Sequence, residues 1–279
     1  IKNKIYKNVF IIKDSADIGD SYNFGALNGD KFLCAKLKKY ETYINKGINC
    51  ILKTVYNIKI PKNTNKNKRT KECISTNINV DYILEALSGI LKIEIKFINK
   101  CTNHKIGYGI KLKSEANDKI ILHCEDMLGI TCREIDTKNN IYNKIPAKKG
   151  VELKTNTIPF NRFIYSSGIG VITEGIHSAT VEKECLFIDI LRSTGQISNP
   201  QNPCRGTSAG PPLKALDSYM KGEIKAKIGI CFEDNVNRMY KHANDYFSPV
   251  VSCFSKLTSL QLLEIPNDNI QLLNINTKQ

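Results

Sequence analysis

The chain has 279 residues, 41% of them hydrophobic and 24% charged, with a formal net charge of +14. That composition supports a folded globular protein and excludes disorder as its main state. The charge comes from 35 Lys and only 6 Arg beside 39 Ile and 29 Asn, a bias that fits codon usage better than selection for positive charge. Arginine is what base edges and phosphates favour, so no nucleic-acid partner is expected.

In chain order, Ile51 to Ile60 is an apolar-rich run of strand length, and Tyr82 to Leu87 reads as a short helix. Leu91 to Phe97 alternates apolar and charged residues without a fault, the mark of a strand with one wet face. Similar patterns recur at Ile106 to Leu112 and Ile224 to Ile230, and Leu186 to Leu191 is another strand-length run. A second helix is expected over Asn237 to Tyr246, ended by Ser248-Pro249. Turn signals lie between these elements at Asn28-Gly29-Asp30, Ser88-Gly89, Asn139-Asn140, Ser167-Gly168 and Pro200 to Pro212. The expected fold is therefore all-β, an antiparallel β-sandwich with few short helices, running over residues 1–279 with a sub-boundary near 150–160.

No apolar run approaches the roughly 20 residues of a membrane helix, so no membrane partner is expected. The chain opens Ile1-Lys2-Asn3-Lys4, without an initiator Met or a signal-peptide core, and reads as a piece of something longer. Ten cysteines are spread almost evenly with no C-x-x-C, which speaks against a zinc ribbon and for reduced, mostly buried thiols in a cytoplasmic protein. Lys62 to Lys71 holds five basic residues and no apolar one, and reads as a solvated loop.

Catalytic patterns are scarce. Gly206-Thr207-Ser208-Ala209-Gly210 matches G-x-S-x-G, but Pro203 before it and Pro211-Pro212 after it do not suit a strand-turn-helix nucleophile elbow. His123-Cys124-Glu125 offers ligand types without an identifiable third donor, so no metal site is assigned. Asp14, Asp17 and Asp20 have the density of a calcium loop but lack its closing Glu, and read better as turn carboxylates accepting backbone N–H bonds. Trp is absent, which speaks against an autonomous sugar-binding platform.

Several ordered segments resemble the C-terminal β-sandwich region of glycoside hydrolase family 38, the α-mannosidases, especially bacterial members. Asp17-Ile-Gly19-Asp20-Ser-Tyr22-Asn23-Phe24 is similar to the family's D-x-G-D-E-Y-N-F. Phe97 to Ile106 resembles I-D-N-x-x-x-D-H-R-L, and Gly168 to Ile176 resembles G-L-x-V-x-x-x-G-L. Most specific are Ile188-Asp-Ile-Leu-Arg192-Ser-Thr-Gly195, similar to L-T-L-L-R-S-V-G, and Arg205-Gly-Thr-Ser-Ala-Gly-Pro211, similar to R-x-G-H-A-G-P. The chain departs from the pattern at Asn103, Lys105 and Gly107 and at His177 to Ala179, where a carboxylate, guanidinium forks, a Glu and a Tyr are replaced.

The resemblance implies a supersandwich-like region of a zinc-dependent retaining α-mannosidase. Its zinc, nucleophile and acid/base carboxylate belong to an N-terminal catalytic domain that these residues do not include. No catalytic residue and no cofactor are therefore expected in this chain. Implied partners are that catalytic domain and an α-mannoside oligosaccharide, and a homo-oligomer is compatible with the reading. Arg192 and Arg205 are the candidates for the substrate cleft or domain interface, Arg192 anchoring its loop and Arg205 reaching sugar hydroxyls or an interface carboxylate. Asn269 to Lys278 resembles a segment leading into further strands, so uncovered strand edges are expected.

Overall fold

A computed structural model describes residues 9–65, 68–112, 119–138 and 150–248. Those up to Phe247 form one compact unit. The strands are β1 (Phe10–Ala16), β2 (Leu33–Cys34), β3 (Lys36–Asn45), β4 (Asn49–Pro61), β5 (Cys73–Glu85), β6 (Ile90–Asn99), β7 (His104–Lys111), β8 (Lys119–Asp126), β9 (Gly129–Asp136), β10 (Thr157–Pro159), β11 (Phe163–Ser166), β12 (Ile169–Thr173), β13 (Ser178–Glu182), β14 (Cys185–Ser193) and β15 (Gly222–Phe232). A single α-helix, α1 (Met239–Phe247), follows a short 3₁₀ turn among the described residues.

Two sheets form the expected all-β sandwich. One has six strands in the order β10-β13-β14-β7-β1-β2, the other nine in the order β3-β4-β5-β6-β15-β12-β11-β8-β9. Strict alternation places Ile93, Ile95 and Phe97 of β6 and Ile106, Tyr108 and Ile110 of β7 in the buried layer between them. A second, smaller core lies on the outer face of the nine-stranded sheet, where α1 packs Met239 and Ala243 against Phe163, Tyr165, Ile172 and Cys231. Gly170 permits that approach, since a Cβ there would sit 2.3 Å from the Met239 sulfur.

The helix expected at Tyr82 to Leu87 is instead the end of β5 and its turn. Tyr82 and Leu84 face Ile93 and Leu91 across the β5–β6 ladder. Pairing along the whole of β5 outweighs the local helix preference of Leu-Glu-Ala-Leu. The helix expected at Asn237 to Tyr246 is present, and Asn235 caps its approach by accepting from the Asn237 N–H. The Ser167-Gly168 signal is a tight β11–β12 hairpin with both residues at positive φ. Asn139-Asn140 lies outside the described residues.

One further expectation needs correction. The Lys62 to Lys71 loop is not wholly solvated, because Arg69 turns inward to bond Asp30 and Asp14. On the outer face of the six-stranded sheet Lys13 and Lys105 are buried, both 1% exposed, beside Phe32 and Phe24 of the 17–32 segment. Lys13 pairs with Glu182 and lies 3.9 Å from the centre of the Phe187 ring. Burial draws its pKa below the usual lysine range, against the opposing pull of Glu182. Lys105 donates to Thr180 Oγ1 at 3.0 Å, pairs with Asp189 at 3.2 Å and stands 4.3 Å from the Phe24 ring. Among the nine described cysteines, all free, Cys101, Cys124, Cys204 and Cys231 are buried and Cys34, Cys73 and Cys132 are exposed. No described helix is long and apolar enough to cross a membrane.

Candidate functional site

At one end of the six-stranded sheet the segment after β1 meets the loop after β14. This junction brings Arg192, Arg205, Asp17 and Asp20 together. β1 ends at Ala16 and hands the chain to a turn in which Asp17 Oδ1 accepts from the N–H groups of Gly19 at 2.9 Å and Gly25 at 3.0 Å. Asp20 Oδ1 accepts from the N–H groups of Tyr22 and Asn23 at 3.1 and 3.0 Å. These are the turn carboxylates expected from sequence. The turn closes so tightly that a Cβ on Gly19 would stand 2.1 Å from the Asn23 carbonyl oxygen, and one on Gly25 would stand 2.4 Å from the Gly19 nitrogen.

The second oxygen of each carboxylate receives one of the two arginines. Arg192, delivered by the end of β14, donates from Nε to Asp17 Oδ2 at 2.9 Å, and its Nη2 lies 2.8 Å from the same oxygen. Nη2 also donates to the Asp20 carbonyl at 2.8 Å. Arg205 bonds Asp20 Oδ2 and Asn23 Oδ1 through its two terminal nitrogens and donates from Nε to the Thr207 carbonyl at 2.8 Å. Asn199 N–H adds a 2.7 Å bond to Asp20 Oδ2. Burial pushes the Asp20 carboxyl upward, but the Asn199 and Asn23 backbone donors, with Asn202 and Arg205, outweigh it and hold the group below the usual carboxylate range.

The 196–212 loop is fastened at further points. Asn199 Nδ2 donates to the Ile18 carbonyl, Asn202 Nδ2 to the Asn23 carbonyl, and Ser198 Oγ accepts from the N–H groups of Ala209 and Gly210. The G-x-S-x-G match therefore lies in a loop organised by Ser198. Arg205 is buried and Arg192 about a quarter exposed. The carboxylate that Arg205 meets is Asp20 of its own chain.

What faces water here is Tyr22. Its side chain is 53% exposed and its ring centre lies 5.8 Å from the Arg205 guanidinium carbon, with Gly210 close beside the hydroxyl. Selection by charge overlooks this residue, although its place in the Asp17 to Phe24 segment was the signal for it. The arrangement can hold a loop rigid, present an aromatic face and offer peptide groups of a Gly/Pro loop. It contains no free pair of carboxyl groups at glycosidase spacing, because Asp17 and Asp20 are both engaged.

A neighbouring buried network continues the cluster. His104 Nδ1 lies 2.6 Å from Asp14 Oδ1 and its Nε2 3.1 Å from Asn99 Oδ1, while Asn99 Nδ2 donates to the carbonyls of Tyr219 and Met220. His123-Cys124-Glu125 gathers no metal donors: Glu125 is taken by Arg162, and among the described residues no three His, Cys, Asp or Glu side chains are placed to hold an ion.

No protein-family model matches the chain, and no curated protein matches it. Solved structures do. An α-mannosidase from Enterococcus faecalis V583 superposes with a TM-score of 0.67 at 12% identity, covering 85% of this chain and 27% of that one. A protein in the glycosyl hydrolase family 38 from Enterococcus faecalis gives a TM-score of 0.66 at 12% identity, with 85% and 28% covered. The fold is shared. This chain spans little more than a quarter of the length of those two structures.

Proposed function

We propose that this chain is a β-sandwich region of a larger α-mannosidase of glycoside hydrolase family 38, structural in itself and contributing a loop to the edge of the substrate cleft. The observation that carries this reading is the fold shared over 85% of the chain with an α-mannosidase. It is joined by the convergence of the resembling segments, since Asp17 to Phe24, Arg192 and Arg205 to Pro211 meet in one ion-paired cluster. On this reading Arg192 and Arg205 are positioning residues that hold the 17–25 and 196–212 segments in register. Tyr22 and the peptide groups of 206–212 are the parts left to meet sugar or the catalytic domain, which would supply zinc, nucleophile and acid/base carboxylate.

The purified chain, assayed with an aryl α-mannoside and added zinc, is expected to show no hydrolysis. Turnover that co-purifies with the chain through successive columns would overturn the non-catalytic part. An independent sugar-binding module is the second reading, favoured by the exposed Tyr22 ring, because aromatic faces are common sugar platforms. Titration with mannobiose while following amide shifts separates the two: a saturable response centred on Tyr22 and 206–212 in the isolated chain supports the module.

A further inference from the structure

The two sheets are unequal in width, and the nine-stranded one overhangs. Along each cross-strand row of its inner face, burial falls toward β3. Ala226, Ile95, Val80 and Thr54 are all buried, and the row ends at Tyr40, 66% exposed. The row from Ile224 through Phe97, Ile78 and Tyr56 ends at Leu37, 52% exposed. That from Ile230 through Leu91 reaches Leu84, 50% exposed, then Cys50 and Ile44, 69% exposed. The apolar inner face thus continues past the point where the six-stranded sheet stops covering it. β3 is exposed at all ten positions, and among the described residues it is an edge, paired with β4 alone.

We propose that β3 and this apolar strip are the docking site of an acidic, extended polypeptide segment that adds a strand to the edge and covers Leu37, Tyr40 and Ile44. Three observations select that occupant. An edge strand offers a row of unpaired N–H and C=O groups, which only another extended backbone matches in spacing. Past a bulge at Lys38 its side chains alternate, with Tyr40, Thr42 and Ile44 toward the strip, as Leu37 is before the bulge, and Lys39, Glu41, Tyr43 and Asn45 away, so a partner along Lys39 to Asn45 needs apolar residues at every second position. Its charge is basic, with Lys36, Lys38 and Lys39 against Glu41, on a chain of net +14. That charge repels a second copy of the chain and favours carboxylates on the incoming strand. This inference stands apart from the glycosidase reading, because it rests on the edge and not on the loop cluster.

The test uses the full chain and two end-blocked ten-residue peptides, one alternating Val or Thr with Glu and its counterpart with Lys in place of every Glu. The expected result is that the acidic peptide slows exchange of those amides in Lys39 to Asn45 that point away from β4, and binds at least ten-fold tighter than the basic one. Ile44→Lys should weaken the acidic peptide at least ten-fold while the melting temperature holds, and Tyr43→Lys, on the opposite face, should leave it bound. Equal binding of both peptides, or of neither, overturns the proposal. So does protection, in the peptide-free chain, of the β3 amides that point away from β4, whether it rises with protein concentration, as pairing of two copies would give, or does not, as cover from within the chain would give.

Discussion

The loop cluster and the β3 overhang invert the usual placement of residues in opposite ways. The cluster takes charge out of water: Asp17, Asp20 and Arg205 are buried, each with an opposite charge and further hydrogen bonds. The overhang leaves Leu37, Tyr40 and Ile44 in water on a strand exposed throughout. Full mutual satisfaction makes the first a rigid scaffold that stabilises by leaving no partner unpaired, whereas the second contributes little to the fold and is free to serve as a contact. Burial alone would mark the cluster as the important region. Unmet bonding capacity marks the edge.

The strongest way to break this contrast is Arg205→Ala. It leaves Asp20 buried without its cation and should lower stability by about 3–5 kcal/mol, read from urea unfolding. Arg205→Lys should recover only part, since one ammonium cannot serve Asp20, Asn23 and the Thr207 carbonyl together. A loss under about 1 kcal/mol for Arg205→Ala would show that the cluster is not a cooperative scaffold. Arg192→Ala should lose less, about 1–3 kcal/mol, because Asp17 keeps the Gly19 and Gly25 donors and the site is partly open to water.

Acid should act on the same scaffold. The Asp20 carboxyl is held low in the folded state, so the stability it contributes is present above its unfolded pKa of about 3.9 and is lost as pH falls through the folded value. The urea midpoint should therefore drop as pH is lowered below about 4, and less steeply in Arg205→Ala than in the parent. An identical slope in the two proteins would remove Asp20 from the account. The smallest effect belongs to the overhang: Ile44→Thr should change stability by no more than about 0.5 kcal/mol, and a loss of 2 kcal/mol or more, roughly a buried side chain's worth, would mean that the strip is covered.

Much of the fold was legible because alternation is a local signal: β6 and β15 read as strands with one wet face, and β7 as a strand, although both of its faces are buried. The β5 end was misread, since Tyr82 to Leu87 has helical residue types and only its partner β6 makes it extended. Sheet order was not legible, because β15 inserts between β6 and β12 through pairings that no local pattern encodes. The burial of Lys13 and Lys105 was not legible, because the rings of Phe24 and Phe187 that enclose them come from segments distant in the chain. Arg192 and Arg205 could be singled out through the resemblance, and the carboxylates of Asp17 and Asp20 through their spacing. That each arginine ends on one of those carboxylates, some 175 to 185 residues away, was beyond either signal.

Those long spans bear on how the protein is made. At roughly 5–20 residues per second, a ribosome that has just released Asp17 and Asp20 needs on the order of 10 to 40 seconds to deliver Arg192 and Arg205. For that interval the tight turn at Gly19 and Gly25 carries two carboxylates with no guanidinium to meet them. β1 also waits for its neighbour β7, about 90 residues later. The cluster is therefore a late seal, set only once β14, the last strand of the six-stranded sheet, has emerged.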